Sequence, residues 1–375
     1  MKVAPDKLAE FRTDVLLADL TTIHLGGNAR HFVDCRSIDE IISAINFFQT
    51  IGDPIMVLGG GSNVVFSDHG FDGLVLRVSL KGISFVEDGD CVVVTAQAGE
   101  IWDDFVKLSV DKSLAGIECL SGIPGTVGAT PIQDVGAYGQ EVRETITSVK
   151  VLERSSLELI DFNSSDCKFG YRSSRFKRED KDRYIVVEVS FRLKRDGEPS
   201  VKYKELKDLL GKTEDGTQST PERRNAALRR AGTGHDQTTL GAVREAVMTL
   251  RKKKSMVIDP YDTNSRSVGS FFVNPVLDDC QYAGFLSKVN DLGMGVPPTF
   301  GNGNGRKIPA GWLVEKAGYH KGYRFGRVGI SANHALALVN FGGTSADLLG
   351  LASEIEAKVL KKFGIKLERE AVIVE

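Results

Sequence analysis

The spacing of apolar residues changes its character along this chain of 375 residues. In the first half, short apolar runs bounded by turn-forming residues predict strands at 55–58, 74–78, 83–86, 91–96, 148–152, 157–162 and 184–193. Two helices are predicted among them, one from a capping box at Ser37-Ile-Asp-Glu40 to about Thr50 and one over residues 101–114. This order favours an α+β fold with many antiparallel pairings over a regular β-α-β series.

The second half has longer stretches with helical spacing. Residues 239–254 place Leu240, Val243, Val247 and Leu250 on one face. Residues 345–363 form a further amphipathic pattern that ends at Gly364, and residues 365–374 return to a strand-like run. The other predictions are a helix that begins at Thr220-Pro-Glu, a glycine-rich surface loop at 301–305, and a stretch at 213–236 to which no role is assigned.

The most unusual pattern is an apolar stretch, residues 117–139, that contains Gly122, Gly125, Gly128, Gly136 and Gly139 and almost no charge. A surface linker with this much glycine is usually polar. Because glycine lacks a Cβ, such a backbone can lie directly against a flat or anionic ligand. The stretch therefore indicates either a buried crossover between two halves of a domain or the wall of a site for a large planar cofactor.

A second cluster consists of Gly59, Gly60 and Gly61 followed by Ser62 and Asn63, between two apolar runs. This is the pattern of a strand, a tight turn and a strand. Successive backbone N–H groups in such a turn can bind an anion, and the two polar side chains add donors. No Gly-Lys-Ser/Thr follows, which excludes a Walker loop, and the next element is a strand, which excludes a dinucleotide fingerprint. A plain glycine hairpin is the alternative.

Composition narrows the class of protein. Hydrophobic residues make up 41% of the chain and charged residues 26%, which is typical of a globular protein. The net charge of −2 gives no general attraction to nucleic acid, and the basic residues between 220 and 254 lack interleaved aromatic residues. No signal peptide or membrane span is predicted. The 5 cysteines and 6 histidines show no ligand spacing, so neither a disulfide framework nor a metal site is predicted.

Beyond the glycine clusters, five motifs in a fixed order resemble those of the UDP-N-acetylenolpyruvoylglucosamine reductase family. They are Thr21-Thr-Ile-His-Leu-Gly-Gly-Asn-Ala-Arg30, Phe169-Gly-Tyr-Arg-Ser-Ser174, Gly269-Ser-Phe-Phe-Val-Asn-Pro275, Ala310-Gly-Trp-Leu-Val-Glu-Lys-Ala-Gly318 and Leu367-Glu-Arg-Glu-Ala-Val372. Because they cover most of the chain in the family's order, they are far more specific than one glycine loop. The segment Val201-Lys-Tyr-Lys-Glu205 resembles the tyrosine loop of the family's first subtype.

The resemblance implies an α+β fold in which a FAD-binding domain of the PCMH and vanillyl-alcohol-oxidase type, made of two subdomains, joins a separate α+β substrate-binding domain. The implied boundaries are residues 1–79 with 364–375, residues 80–268, and residues 269–363. The implied reaction is the NADPH-dependent, FAD-mediated reduction of UDP-N-acetylglucosamine enolpyruvate to UDP-N-acetylmuramate, a step in peptidoglycan precursor synthesis.

The resemblance also implies which residues bind a non-covalent FAD. The pyrophosphate would lie against Gly59, Gly60, Gly61, Ser62 and Asn63. The flavin and its ribityl chain would meet Gly122, Ile123, Gly125, Val127 and Gly128, and Val186 would contact the ring. NADPH is implied as a co-substrate, although the chain has no dinucleotide motif.

Three residues are implied to be catalytic. Hydride addition to C3 of the enolpyruvyl group pushes negative charge onto C2 and its carboxylate, so the site needs a cation and a proton donor. Arg172 would hold the carboxylate, Glu370 would stay protonated beside the developing enolate, and Ser270 would protonate C2. From the residues alone, the alternatives are a surface arginine for Arg172, a solvent-facing strand residue for Glu370 and a turn serine for Ser270.

Four further residues are implied to bind substrate: Tyr171, Tyr203, Lys254 and Asn274. Tyr203 lies in the loop that would close over the diphosphate. Lys254 is the last of three successive lysines, and the sequence leaves open which of them fills the family's position.

Two other functions stay open at this point. One is another FAD oxidoreductase of the same fold, such as an oxidase of alcohols or lactones, which oxygen consumption would identify. The other is a non-catalytic nucleotide-sugar binding module, which would be colourless. We expect a monomeric cytoplasmic protein that binds neither nucleic acid nor membrane.

Overall fold

The computed structural model describes residues 10–211, 238–300 and 305–375. Its helices are α1 Ile38–Ile51, α2 Trp102–Asp111, α3 Thr130–Gln133, α4 Lys204–Leu210, α5 Leu240–Lys253, α6 Asp279–Asp291, α7 Ala310–Lys316 and α8 Ser345–Phe363. Its strands are β1 Arg12–Leu16, β2 Asn28–Cys35, β3 Ile55–Leu58, β4 Val64–Phe66, β5 Phe71–Val78, β6 Ile83–Asp88, β7 Cys91–Gln97, β8 Leu114–Ala115, β9 Gly136–Ala137, β10 Gln140–Glu141, β11 Ile146–Glu153, β12 Leu159–Asn163, β13 Tyr184–Arg195, β14 Val276–Leu277, β15 Arg306–Lys307, β16 Arg324–Phe325, β17 Val328–Ile330, β18 Leu338–Asn340 and β19 Val372–Val374. Short 3₁₀ turns occur at Leu17–Leu20, Glu118–Leu120, Val127–Ala129, Val142–Glu144 and Thr263–Ser265.

The first sheet has the strand order β1-β2-β5-β3. Both β2 and β3 run parallel to β5, because α1 carries the chain from one side of β5 to the other. This sheet is therefore mixed: β1 and β2 are antiparallel, whereas the two pairings with β5 are parallel. The predicted capping box is half formed: Ser37 accepts from the Glu40 amide, but the Glu40 carboxylate accepts from the Arg36 amide instead of that of Ser37.

The second sheet is antiparallel throughout, as predicted, with the order β12-β11-β13-β7-β6. Helix α2 buries Trp102, Phe105 and Val106 against it, in the same apolar core that contains the inner face of α1. This helix ends at Asp111 and not at the predicted residue 114. Ser113 turns the chain with a φ of 56°, and Leu114 pairs with Arg195 at the end of β13.

A third unit packs α6, α7 and α8 beside the small sheet β16-β17-β18. Its core includes Phe271, Phe272 and Phe285 and extends to Ile23 and Val65 of the N-terminal region. Helix α8 has the predicted bounds and ends at Gly364, whose φ is 73°. Thr344 and Asp347 form the capping box at its start.

The C-terminal segment connects these units. Only Val372–Val374 forms a regular strand, parallel to β4, so the predicted strand over 365–374 is too long. The backbone amides of this segment donate to two different partners. That of Glu370 donates to the Phe271 carbonyl, and that of Val372, the first residue of the strand, donates to the Asn63 carbonyl. Because the segment changes partner, it cannot belong to one continuous ladder.

Helix α5 has Leu240, Val243 and Val247 buried, in agreement with the predicted apolar face. The helix predicted at Thr220, the stretch 213–236 and residues 301–304 of the predicted loop lie outside the described residues. In the described ranges, no helix is both long and apolar enough to cross a membrane. The same ranges contain four buried cysteines and one exposed cysteine, Cys280, all with free thiols.

Candidate active site

The two glycine clusters lie against each other. Gly59 to Asn63 connects β3 to β4, which belong to different sheets, so the alternative of a glycine hairpin is wrong. A Cβ at Gly60 would lie 2.8 Å from the Gly125 Cα, and the Ser62 hydroxyl donates to the Pro124 carbonyl at 3.1 Å. Glycine is therefore needed at this contact for the two backbones to approach.

The rest of the second cluster is fixed by contacts with neighbouring elements. The Gly122 amide donates to Asp103 Oδ1 of α2 at 2.6 Å. The same carboxylate accepts two hydrogen bonds from Arg244 of α5. A Cβ at Gly128 would lie 2.6 Å from that of Ala98, and Val127 is fully buried. The wall predicted to face a cofactor is thus held rigidly from behind.

Two adjoining cavities open beside these clusters, with volumes of about 370 Å³ and 210 Å³. Thr126, Ala129 and Gln133 line both. The larger of the two, the central cavity, brings together predicted site residues from every part of the chain: Ser62, Asn63, Ile123, Arg172, Tyr203, Lys254, Ser270 and Glu370. The smaller, the side cavity, is lined by Gly59, Gly128 and Val186.

The two cavities fit an elongated cofactor with a planar end and an anionic middle. Ser62 and Asn63 supply polar groups where the glycine loop meets the central cavity. Side chains larger than glycine at positions 59 and 60 would collide with Thr126 and Gly125. Six of the residues predicted to hold FAD line one of the two cavities: Gly59, Ser62, Asn63, Ile123, Gly128 and Val186.

Arg172 is the most constrained side chain of the site. Its backbone has a φ of 52°, which a residue with a Cβ rarely adopts. Its Nη1 donates to the Asp134 carbonyl at 3.0 Å, and its Nη2 donates to the Gly136 carbonyl at 2.6 Å. Its Nε lies 3.1 Å from Glu370 Oε1. These three contacts aim the guanidinium at the central cavity.

Glu370 lies opposite Arg172. Burial raises the pKa of its carboxyl above the usual range, while the positive charges of Arg172 and Lys177 act in the other direction. The net upward shift favours the protonated acid. The side-chain amide of Asn63 donates to the backbone carbonyl of Glu370 at 3.2 Å, so Glu370 is bonded to the first glycine cluster.

Ser270 reaches the same cavity from the other side of the C-terminal segment. Its neighbour Phe271 accepts the Glu370 amide, and Phe272 forms a bridge with Arg369. The backbone thus fixes Ser270 close to Glu370. Among the described residues, no group hydrogen-bonds the Ser270 hydroxyl, which leaves it available to a ligand.

Lys254 and Tyr203 form a polar end of the central cavity. Lys254 pairs with Glu205, and its ammonium group lies 5.9 Å from the centre of the Tyr138 ring. Tyr138 in turn meets Tyr203 edge-on, with ring centres 5.5 Å apart. Of the three successive lysines, Lys254 lines the cavity.

Sequence reasoning missed two residues at this end. Arg251 is 8% exposed, and burial lowers its pKa to about 10. Burial likewise lowers the pKa of His334 to about 4, and its Nδ1 accepts from the Leu336 amide. Arg251 lies one helical turn before Lys254, a spacing that could have revealed it. His334 comes from a distant loop, and nothing in the sequence indicates its position.

Tyr171 and Asn274 do not line the central cavity. They hydrogen-bond to each other at 3.2 Å and line a separate groove of about 960 Å³ beside α6. The Asn274 side chain also accepts from the Ala310 amide at 2.8 Å. These two residues therefore contact each other and the neighbouring groove, not the central cavity.

Lys177 is a further residue that the sequence analysis did not assign to the site. Its ammonium group donates to the Arg172 carbonyl at 3.2 Å and to Gln133 Oε1 at 3.0 Å. It therefore supports the strained backbone of Arg172. No cluster of three or more His, Cys, Asp and Glu side chains in the described part of the chain is placed to hold a metal ion. His69, which follows the first glycine cluster, is exposed.

The two sheets, the paired glycine clusters and the arginine–glutamate pair define a flavin-dependent oxidoreductase. A model of the FAD binding domain matches residues 29–157, and a model of the UDP-N-acetylenolpyruvoylglucosamine reductase C-terminal domain matches residues 259–374. The chain belongs to the family of UDP-N-acetylenolpyruvoylglucosamine reductases, as the resemblance indicated. The predicted fold class and the predicted FAD cofactor are confirmed.

Relatives of this family match almost the whole chain. The UDP-N-acetylenolpyruvoylglucosamine reductase of Thermobifida fusca is 45% identical over 370 residues, which cover 97% of this chain and 98% of that protein. That of Mycolicibacterium smegmatis is 40% identical over 373 residues, with coverages of 97% and 96%. The crystal structure of the Thermus caldophilus reductase has a TM-score of 0.60 at 21% identity, covers 98% of this chain and 99% of its own, and supports the fold.

Proposed function

We propose that this chain reduces UDP-N-acetylglucosamine enolpyruvate to UDP-N-acetylmuramate, with NADPH as the electron donor. Family membership at 45% identity over nearly the full length carries this proposal. The convergence of Arg172, Glu370 and Ser270 on one cavity supports the chemistry. The product is a precursor of peptidoglycan, so the protein acts in cell-wall synthesis.

FAD would be held without a covalent bond by the two glycine clusters. Ser62 and Asn63, with the backbone of Gly59 to Gly61, would bind the pyrophosphate. The wall that contains Ile123, with Val186 in the side cavity, would meet the flavin. When bound, this cofactor supplies hydride transfer from NADPH to the enolpyruvyl group.

Arg172 would bind the substrate carboxylate. A guanidinium has five N–H groups, and three of them contact Asp134, Gly136 and Glu370. Two remain for an anionic ligand. Because the bonds to the carbonyls are already formed, the cation needs little reorganisation as negative charge develops on the substrate.

Glu370 would act as a protonated acid beside the same charge. The raised pKa of its carboxyl supports this role, since an ionised carboxylate would repel the developing enolate. Ser270, whose hydroxyl has no partner among the described residues, would deliver the proton to C2.

The substrate diphosphate would lie toward Lys254 and Tyr203. Lys254 supplies positive charge at that end of the cavity, and its pairing with Glu205 could exchange for a phosphate. Tyr171 and Asn274 would contribute from the neighbouring groove by fixing the position of Arg172 and of the segment that carries Ser270.

We further propose a division into a first FAD subdomain of residues 1–79 with 364–375, a second of residues 80–268, and a substrate-binding domain of residues 269–363. The mixed core that joins Ile23 and Val65 to the third unit indicates extensive contact between these parts. We propose a monomer in the cytoplasm, where its nucleotide-sugar substrate is made.

Anaerobic oxidation of NADPH, with and without UDP-N-acetylglucosamine enolpyruvate, tests this function. We expect a yellow protein that oxidises one NADPH for each substrate reduced. Bleaching by NADPH without a response to the substrate would leave another flavin oxidoreductase of this fold. A colourless protein that binds the nucleotide sugar would indicate a binding module instead.

A further inference from the structure

Asp134 is a buried carboxylate that the reaction does not use. Its side chain is 0% exposed, and neither oxygen has a hydrogen bond of good geometry among the described residues. The nearest cation is Arg143, whose Nη1 lies 3.0 Å from Asp134 Oδ2. Burying a carboxylate that has one ion pair and no hydrogen bond of good geometry costs folding free energy, which indicates that Asp134 has a role beside the site.

The ion pair closes the base of a short hairpin. Strands β9 and β10 pair across a turn at Tyr138 and Gly139, both with positive φ. The Val142 amide donates to the Val135 carbonyl at 2.9 Å, just inside the ion pair. The pair therefore fixes how the hairpin leaves α3.

This hairpin carries groups that the site depends on. The carbonyls of Asp134 and Gly136 are the two that accept the Arg172 guanidinium. Tyr138, at its turn, packs edge-on against Tyr203. A shift at the base of the hairpin would move both carbonyls, and the Arg172 guanidinium would no longer point at the central cavity.

We propose that Asp134 is a positioning residue that holds Arg172 in place through its ion pair with Arg143 and the hairpin between them. The inference rests on the proposed role of Arg172 in binding the substrate carboxylate. Asp134 itself lines neither the central cavity nor the side cavity.

The charge on Asp134 makes this arrangement sensitive to pH. The groups that face it are Glu141 of β10, Arg143 of the 3₁₀ turn that follows, and Arg172. Burial raises the pKa of Asp134 to about 6, with Glu141 adding to the rise and the two arginines opposing it. Below that pH the carboxyl is neutral, the ion pair is lost, and the hairpin is held less firmly.

Asp134→Asn tests the proposal, because it keeps the shape and removes the charge at every pH. We expect substrate-dependent reoxidation of the reduced enzyme to fall about ten- to a hundred-fold at pH 7.5. The ratio of wild-type to variant rates should approach one as pH falls through about 6. Flavin reduction by NADPH should be unchanged. A ratio that does not vary with pH, or a variant as active as wild type, would overturn the inference.

Four further variants separate the possible causes. Arg143→Lys keeps the charge and should rescue most of the rate that Arg143→Gln loses. Asp88→Asn breaks an exposed ion pair with Arg192 on the second sheet and should change neither half-reaction. Arg172→Gln tests the underlying function: if it leaves substrate reduction intact, the proposed role of Arg172 fails, whereas a defect in Arg172→Gln without one in Asp134→Asn removes only the role of Asp134.

Stability provides a readout that does not depend on turnover. Because the folded-state pKa of Asp134 lies above its value of 3.8 in the unfolded chain, its ionisation disfavours folding as pH rises from about 4 to about 6. The Asn variant should therefore gain stability relative to wild type over that window, although it loses activity. A parallel loss of stability and activity at pH 7.5 would indicate a merely structural residue.

Discussion

The Nε of Arg172 lies 3.1 Å from Oε1 of Glu370, although the two residues are far apart along the chain. Arg172 lies between β12 and β13, whereas Glu370 lies between α8 and β19. Arg172 also donates to two backbone carbonyls, while burial keeps the pKa of Glu370 raised. A cation and a weak acid thus share one cavity with Ser270.

Glu370→Gln should abolish most substrate reduction. An amide can still hydrogen-bond but has no acidic proton, so we expect a loss of about a hundred-fold or more in the substrate half-reaction. Rapid-mixing measurements of each half-reaction should show flavin reduction by NADPH within about two-fold of wild type. The matched control is Glu368→Gln, at an exposed position two residues earlier that borders the neighbouring groove. Equal losses in the two variants would contradict a specific role for Glu370.

Ser270→Ala should likewise separate the half-reactions. Removing the hydroxyl deletes the proposed proton donor to C2 without altering the backbone bonds of Phe271. We expect slow reoxidation by substrate, by about a hundred-fold, and normal reduction by NADPH. Ser287→Ala, on the exposed face of α6, serves as the control. If both half-reactions slowed together, Ser270 would have a structural role only.

Gly61→Ala should destabilise the fold through a clash and not only through backbone strain. Gly61 and Gly89 have the same φ of 64°, but a Cβ at Gly61 would lie 1.9 Å from the Leu20 carbonyl oxygen, whereas one at Gly89 meets nothing within 4 Å. We expect Gly89→Ala to cost about 1 kcal/mol and Gly61→Ala at least about 2 kcal/mol more. Denaturant unfolding and retention of FAD measure both effects. Similar losses at the two positions would show that the approach to Leu20 is not tight.

His334 should make stability depend on pH. Its pKa falls from 6.5 to about 4 on folding, so the unfolded chain binds the proton more readily between these values. Stability from this residue is complete above about 6.5 and is lost as pH falls toward 4, by about 3 kcal/mol in total.

His334→Asn removes this titration, so the difference in unfolding free energy between wild type and variant should change across pH 4 to 6.5 and be constant above it. Ser287→Ala, at an exposed position and without a titratable group, should leave the pH dependence of wild type unchanged. A constant difference between wild type and the Asn variant over the whole range would contradict the burial of a neutral imidazole.

Much of this protein can be predicted from local sequence. Amphipathic spacing and caps located α1, α5 and α8 nearly to the residue, because helices of this length depend on contacts within a few turns. The glycine clusters and the ordered motifs gave the FAD fold and the family. Arg172, Ser270 and Glu370, which were predicted by motif alone, line one cavity.

Tertiary structure determined the features that local sequence patterns cannot predict. The parallel pairing of β2 and β3 with β5, the two-sided bonding of Glu370, and the early end of α2 each depend on a partner distant in sequence. Asp134 and His334 belong to the same class, since burial by other elements sets their pKa values. The sequence by itself determined helices such as α1, α5 and α8, the cofactor class and the candidate catalytic groups, because these follow from short-range spacing, motif order and side-chain chemistry. Only the folded chain decided which of those groups share one desolvated cavity, because desolvation depends on contacts between distant segments.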